Sequence, residues 1–176
     1  MFSRFASRSM LLAAALTLAL ATTARAQTAV PHVAGPVSLS GPRFGMTFLN
    51  QAILDKLDEH DIKVGPAITQ FGWQFEKRFY AGASGLTALN EWVVLLGGLD
   101  QGVALPSVTW MTGLRTREGA EIGIGPNITP LGVGLAVAAG TTFRAGALNI
   151  PVNLAVVPSK SGVRVSFLTG FNMRRQ

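Results

Sequence analysis

Apolar side chains recur at every second position through most of the chain beyond residue 37. In the segment from Ile68 to Phe79, one set of alternate positions is largely aromatic, and the other carries amides, a glycine and charged groups. A period of two indicates a β-strand, because successive side chains point to opposite faces of a sheet. The pattern therefore predicts an all-β protein in which each strand has two chemically different faces.

Turn-forming residues divide the chain into eight such runs. The predicted strands are 39–49, 68–79, 86–96, 105–115, 120–127, 131–144, 148–157 and 163–173. The segment from Pro126 to Pro130 is expected to break the fifth strand. Nearly all connections are short, which excludes parallel crossovers, because these need a dozen or more residues. The sequence predicts one domain, residues 37–176, folded as an eight-stranded up-and-down antiparallel β-barrel.

The one long connection runs from Asn50 to Gly65. It contains Ile53, Leu54 and Leu57 at helical spacing, followed by a group of acidic residues. Apolar residues that recur three and four positions apart lie on one face of a helix. We therefore predict a short helical or structured loop near residues 51–64.

The sixth predicted strand indicates which faces point into the barrel. Its odd positions carry large aliphatic residues such as Val133 and Leu135, and its even positions carry five successive glycines or alanines. Small apolar residues make a poor water-facing surface, but they fit the narrow interior of a small barrel. The large side chains, and with them Phe71, Trp73 and Phe75, would then face outward into lipid. Aromatic residues near strand ends are expected to form interfacial girdles: Phe44, Phe79, Trp92, Trp110, Phe143 and Phe171.

In this orientation, the polar residues opposite the large apolar ones become interior groups. A buried charge needs a partner, so these groups are expected to form a paired network. Glu76 is expected to pair with Arg78, and Glu121 with Arg115 or Arg164. A structural ion-pair network is favoured over a proton or ligand site in the lumen. The candidate interior network is Gln70, Gln74, Glu76, Arg78, Glu121, Asn149, Asn153 and Arg164.

Some features favour a soluble barrel instead. The third predicted strand is apolar on both faces, as in a two-sided core, and Tyr80 is the single tyrosine. Pro106 and Pro151 each remove a hydrogen-bond donor from a predicted strand. The alternative is a soluble periplasmic β-barrel that binds a small apolar ligand or lipid in a cavity lined by aromatic side chains. Those aromatic residues would be Phe71, Trp73 and Phe75.

Residues 1–26 have the pattern of a cleaved export signal peptide. A basic start is followed by an apolar core from Met10 to Ala21 and by a small-x-small site at Ala24 to Ala26. Residues 27–36 are expected to form a flexible lead-in. Loss of three signal arginines lowers the count of 15 basic residues to 12, so the net charge falls from +6 to +3. The remaining charges are scattered, and no nucleic-acid binding is expected.

Candidate catalytic residues are few. His60 is flanked by acidic residues, but consecutive residues on a helix point in different directions, which favours a solvated loop over a metal site. A lipid-modifying barrel enzyme would require His60 to act with a serine such as Ser107 or Ser159, and the spacing does not support this. His32 lies in the lead-in, and the chain contains no cysteine. We predict no catalytic, metal or cofactor site.

The segments GPRFGMTFL, ITQFGWQFE and NIPVNLAVVPSKSGVRVSFLTGFN resemble a group of uncharacterised exported bacterial β-rich proteins. The resemblance covers most of the chain beyond the signal and implies no activity and no site residues. In architecture the chain is similar to small outer-membrane β-barrels. The prediction is an outer-membrane barrel with a structural or interaction role, outer-membrane lipid as its partner and no open pore. The soluble periplasmic barrel and the lipid-modifying enzyme are the alternatives.

Overall fold

The computed structural model describes residues 38–173. The expected signal peptide (1–26) and lead-in (27–36), with His32, lie outside the described residues. None of the described helices combines the length and hydropathy needed to cross a membrane. The elements are β1 (Gly41–Leu49), α1 (Gln51–Asp58), β2 (Ala67–Ala81), β3 (Thr87–Gly97), a 3-10 helix (Leu99–Gln101), β4 (Leu105–Arg115), β5 (Glu121–Thr129), β6 (Gly132–Ala145), β7 (Leu148–Ser159), β8 (Gly162–Gly170) and β9 (Asn172–Met173).

Strands β1 to β8 form one closed antiparallel barrel. Each strand pairs with the next one along the chain, and β8 pairs with β1. The short strand β9 extends the edge of β7. The predicted eight-stranded up-and-down barrel with one short helical segment is therefore confirmed.

The pairing register is staggered around the barrel. A path through directly opposed residues starts at Gln70 on β2 and returns to β2 at Ala81. A stagger of this kind accompanies a strand tilt of roughly 35–45° from the barrel axis. Residues from distant parts of the chain are thereby brought to the same height. The intermediate positions on the path are Gly45, Leu168, Asn153, Gly140, Glu121, Arg115 and Thr87.

The predicted break at Pro126 is wrong, because β5 continues to Thr129. Pro126 lies opposite Leu135 of β6, whereas the register towards β4 is interrupted between Ile124 and Asn127. A proline has no backbone N–H to donate, so the chain loses ladder bonds to one neighbour and keeps the other. The last predicted strand is likewise divided into β8 and β9 at Phe171.

The orientation of the faces follows the sequence prediction. On β2, Phe71, Trp73 and Phe75 are about half exposed on the outer surface, whereas Gln70 and Gln74 are buried inside. Glycines on the inner face occur where strands approach closely, since a Cβ atom on Gly72 would overlap the backbone of Val94. The close approach of neighbouring strands thus requires small residues on the inner face, and the large side chains lie on the outer face.

Candidate functional site

The interior of the barrel has two ends of different structure. At the turn end, the short turns 82–86, 116–120 and 146–147 connect the strands. The helix end carries α1, the 3-10 helix and the turns 130–131 and 160–161. The two halves of the lumen contain different chemical groups.

A group of ionic and amide side chains, the charged cluster, fills the half next to the turn end. Arg115 is at its centre and donates from Nη1 and Nη2 to the two carboxylate oxygens of Glu76, at 2.8 and 2.5 Å. Its Nε atom donates to Glu121 at 2.6 Å, and Nη2 lies 3.6 Å from Glu91. Such a two-pronged arginine–carboxylate contact is among the strongest polar interactions in proteins. The charged cluster comprises Arg43, Gln74, Glu76, Glu91, Arg115 and Glu121.

Gln74 joins the two arginines of the charged cluster through Glu91. Arg43 donates from Nε to Gln74 Oε1 at 3.0 Å, and Gln74 Nε2 donates to Glu91. Arg43 also donates from Nη2 to the Leu39 carbonyl at 2.6 Å. Because each charged group has partners of suitable geometry, the cluster can be buried without large uncompensated cost. It fills the lumen at this level.

A cavity of about 90 Å³ lies between the charged cluster and α1. At the helix end, Ile53 and Leu57 of α1 are each 1 % exposed and pack against Leu49 and Ile68. Asn50 caps this helix by accepting a hydrogen bond from the Ile53 amide. The cavity has room for several water molecules or one slender apolar group. Its apolar wall is formed by Val93, Leu95, Met111, Ala136, Ala138, Ala155, Val157 and Leu168.

Arg164 crosses this half of the lumen from β8 to β5. Its Nη1 donates to Thr129 Oγ1 and its Nη2 to Asn127 Oδ1, both at 2.9 Å. Asn127 is in turn fixed by donating to Ser107 and Thr109 of β4, both at 2.8 Å. Among residues 38–173, no carboxylate lies within ion-pair distance of Arg164. Arg164 is therefore held in place by neutral groups alone.

The sequence-predicted network residues are distributed over both halves. Gln74, Glu76 and Glu121 belong to the charged cluster. Gln70 accepts from Thr47 at 2.5 Å, and Asn153 lines the cavity together with Arg164. The two remaining residues lie nearer the turn end. These are Arg78, which is half-buried on β2, and Asn149, which is fully buried with neither side-chain polar atom hydrogen-bonded.

The proposed pairings were correct in part. Glu121 pairs with Arg115, one of its two candidate partners. The other candidate, Arg164, contacts Asn127 and Thr129 instead, so that pairing is wrong. Glu76 also pairs with Arg115, a contact that was not predicted.

Three charged or amide side chains of the lumen are not predicted from the sequence, namely Arg43, Glu91 and Asn127. The interpretation of β3 as a strand with two core faces overlooked Glu91, which shares its inner face with Leu89 and Val93. A single charge on an otherwise apolar face was the available signal. Asn127 falls within the predicted strand break, and Arg43 lies on the first strand, for which no inner polar residue is predicted.

The residues considered for catalysis have local structural contacts. His60 is exposed, and its Nδ1 donates to the Lys56 carbonyl at 2.8 Å. Ser107 is buried in the lumen and accepts from Asn127, while Ser159 donates to the Gly162 carbonyl at 2.9 Å. Within the described part of the chain, no group of three or more acidic, histidine or cysteine side chains could hold a metal ion.

The aromatic residues expected in girdles all lie on the outer surface, 41–58 % exposed. Trp92 and Trp110 are neighbours on β3 and β4, with ring centroids 6.2 Å apart. Phe71, Trp73 and Phe75 share this surface, so the cavity of the soluble alternative is not lined by them. That part of the alternative is wrong, because these residues alternate with the interior glutamines.

No family model, curated protein or solved structure matches the chain. The resemblance to exported bacterial β-rich proteins therefore stays a prediction.

Proposed function

We propose that this protein is a small outer-membrane β-barrel with a structural or interaction role and outer-membrane lipid as its partner. The observation that carries the proposal is the chemistry of the outer surface. Every strand from β1 to β8 presents exposed large apolar side chains, such as Phe48, Trp73, Ile124, Leu135 and Phe167. Water-soluble monomers rarely expose contiguous apolar patches beyond a few hundred Å². A surface apolar on all sides is suited to a hydrocarbon solvent.

The height of the apolar surface supports the same assignment. On β6, the outward positions run from Val133, 61 % exposed, to Phe143, 58 % exposed. With a rise of about 3.3 Å per residue and a tilt of about 40°, this distance corresponds to about 25 Å along the barrel axis. That is the height of the lipid-facing band in outer-membrane barrels. Ile150 and Val165 extend the band onto β7 and β8 as half-buried outer positions.

Charged residues are distributed in a way that suits a membrane barrel. Glu76, Glu91 and Arg115 are buried inside, with side chains at most 9 % exposed. Lys77 lies on the outer face of β2 near the turn end, where its long stem would let the ammonium group reach the interface. Charge is therefore concentrated in the lumen or close to the barrel ends.

The lumen is too full to form an open pore. The charged cluster occupies the turn-end half, and Ile53 and Leu57 of α1 close the helix end. Eight strands leave an interior that side chains or one small ligand can fill. We accordingly propose a structural or interaction role, without conduction and without a catalytic role.

Fractionation of cells that express the full chain tests the membrane assignment. The folded protein is expected in the outer-membrane fraction, soluble only in detergent, and its gel migration should change on boiling. Recovery of the folded protein in a detergent-free periplasmic extract would contradict the proposal and support the soluble alternative.

A matched pair of outer-surface variants gives a sharper test. Val137→Arg places a charge near the middle of the apolar band and should lower the free energy of unfolding in lipid by about 2–4 kcal/mol. Phe143→Arg places it near the turn end, where the cost should be about 0–1 kcal/mol. In a barrel surrounded by water, both exposed positions should tolerate arginine equally, and that result would refute the membrane assignment.

A further inference from the structure

The two halves of the lumen treat their arginines differently. Arg115 has carboxylate oxygens of Glu76, Glu91 and Glu121 within 4.0 Å, the nearest at 2.5 Å. Arg164 is partly buried, and no carboxylate within residues 38–173 reaches it. A buried or half-buried guanidinium normally has an anionic partner, since desolvation of an unpaired charge is costly. Arg43 is likewise hydrogen-bonded to neutral groups, but it belongs to the charged cluster with its three carboxylates. Among the described residues, no carboxylate lines the cavity beside Arg164, so the positive charge of Arg164 has no counterpart in its half of the lumen.

Arg164 is also positioned as a binding group. A guanidinium has five N–H donors, and the structure uses two of them, towards Thr129 and Asn127. The buried Nε donor has no hydrogen-bond partner. Asn127 is itself anchored by Ser107 and Thr109, so the orientation of the guanidinium is fixed before any ligand arrives. A preorganised fork with unused donors favours a planar anion, such as a carboxylate.

The cavity next to Arg164 determines the rest of the ligand. Beyond the guanidinium, its wall is largely aliphatic and is narrowed by Ala136, Ala138 and Ala155. Along β4, the lining positions run from Leu105 to Met111, which spans about 15 Å along the barrel axis. The charged cluster limits the cavity at its far end. A volume of about 90 Å³ in a cavity elongated along the strands favours a slender, unbranched and short alkyl chain.

We propose that the lumen binds a short-chain carboxylic acid, with its carboxylate on Arg164 and its alkyl chain along the apolar wall. A single negative charge matches the one guanidinium that lines this cavity, which disfavours a phosphate dianion. Pro106, Pro130 and Leu131 at the helix end also line the cavity, which therefore extends to the inner side of α1. The site depends on the lumen rather than on the outer surface, and it goes beyond the structural role proposed above.

Equilibrium dialysis of the full chain in lipid nanodiscs tests the site, with radiolabelled butanoate as the probe and empty nanodiscs as the blank. Saturable binding of one butanoate per barrel is expected. Butanol should bind at least about tenfold more weakly, because its neutral hydroxyl offers neither the negative charge nor the second acceptor oxygen of a carboxylate. Equal binding of butanol and butanoate would overturn the assignment of Arg164 as the anion site.

Two lumen variants separate the headgroup from the chain. Arg164→Gln should weaken butanoate binding about tenfold or more, whereas the control Arg144→Gln, at an exposed position near the turn end, should leave it unchanged. Ala138→Leu fills part of the cavity and should abolish binding.

Heat-modifiable migration verifies that each variant is folded. Unchanged binding in folded Arg164→Gln or Ala138→Leu would refute the proposal, as would the absence of saturable binding to the unmodified chain. If fractionation places the protein in the soluble extract, the same dialysis without nanodiscs tests the site independently.

Discussion

The two halves of the lumen solve the problem of buried polar groups in different ways. At the turn end, Glu76 and Glu91 lie directly opposite each other on β2 and β3, an unfavourable arrangement for like charges. Arg115 of β4 lies within 4 Å of both and makes the arrangement stable. At the helix end, Arg164 is held by neutral groups beside a cavity. In the turn-end half the charged groups satisfy one another, whereas the helix-end half has unused hydrogen-bond donors and a cavity.

The largest expected difference between the halves comes from removing their central arginines. Arg115→Gln removes the cation that directly pairs with the three carboxylates of the charged cluster, and should lower the free energy of unfolding by about 3–5 kcal/mol. Arg164→Gln should cost much less, because no carboxylate depends on it. Urea unfolding of the two variants in the same lipid measures the difference. Equal losses would show that the halves are not organised differently.

The apolar contacts that close the helix end should give the next largest effect on the free energy of unfolding. Leu57→Ala removes a side chain that is 1 % exposed between α1 and the barrel, and should cost about 2–3 kcal/mol. Limited proteolysis should then cut the connection 50–66 more rapidly. Leu54→Ala is the control, since Leu54 is only half-buried on the same helix. A Leu57→Ala protein as stable and as resistant as the parent would show that α1 does not close the lumen.

A smaller effect is expected from the polar layer next to the cavity. Thr47 donates to Gln70 and lies 2.6 Å from the Ser166 hydroxyl oxygen, all in the interior. Thr47→Val preserves the shape but leaves these groups without their partner, at a cost of about 1 kcal/mol. Thr112→Val makes the same change on the outer surface, where Thr112 contacts Asn90, and should not destabilise the barrel in lipid. Equal effects of the two variants in unfolding experiments would contradict the assignment of inner and outer faces.

The smallest effect should come from outside both halves. Asp100, in the 3-10 helix, accepts a hydrogen bond from the Thr69 hydroxyl at 2.6 Å, which lowers the pKa of its carboxyl group. A lowered pKa means that the contribution to stability is present near neutral pH and is lost as the pH falls through that pKa. Asp100→Asn should remove this slight acid dependence and leave neutral stability nearly unchanged. Thermal unfolding at a series of pH values measures it, and a parent and variant with the same acid slope would disprove the contribution.

Several features of the lumen could be predicted because they are local in sequence. Arg115 and Glu121 lie opposite each other across the short turn 116–120, so a hairpin prediction brings them together. The small residues of β6 identified the inner face without any knowledge of its neighbours. The helical spacing of Ile53 and Leu57 predicted α1 for the same reason.

Other features depended on contacts between distant segments. Glu76 and Arg115 are 39 residues apart and meet across β3 only because of the pairing register. The break expected at Pro126 failed because β6 supplies the pairing that proline cannot make with β4. Glu91 resembled an isolated charge until β2 and β4 placed Gln74 and Arg115 beside it.

The strands, the short helix and the faces that point inward can be predicted from the chain alone. Each of these follows from a period of two or from helical spacing, and both are properties of consecutive residues. Only the closed barrel surrounds Arg115 with carboxylates and Arg164 with neutral groups. These surroundings depend on the stagger of the strands, because the stagger fixes the height at which each inward side chain meets the others. A register shift of one residue would turn every inward side chain of that strand outward.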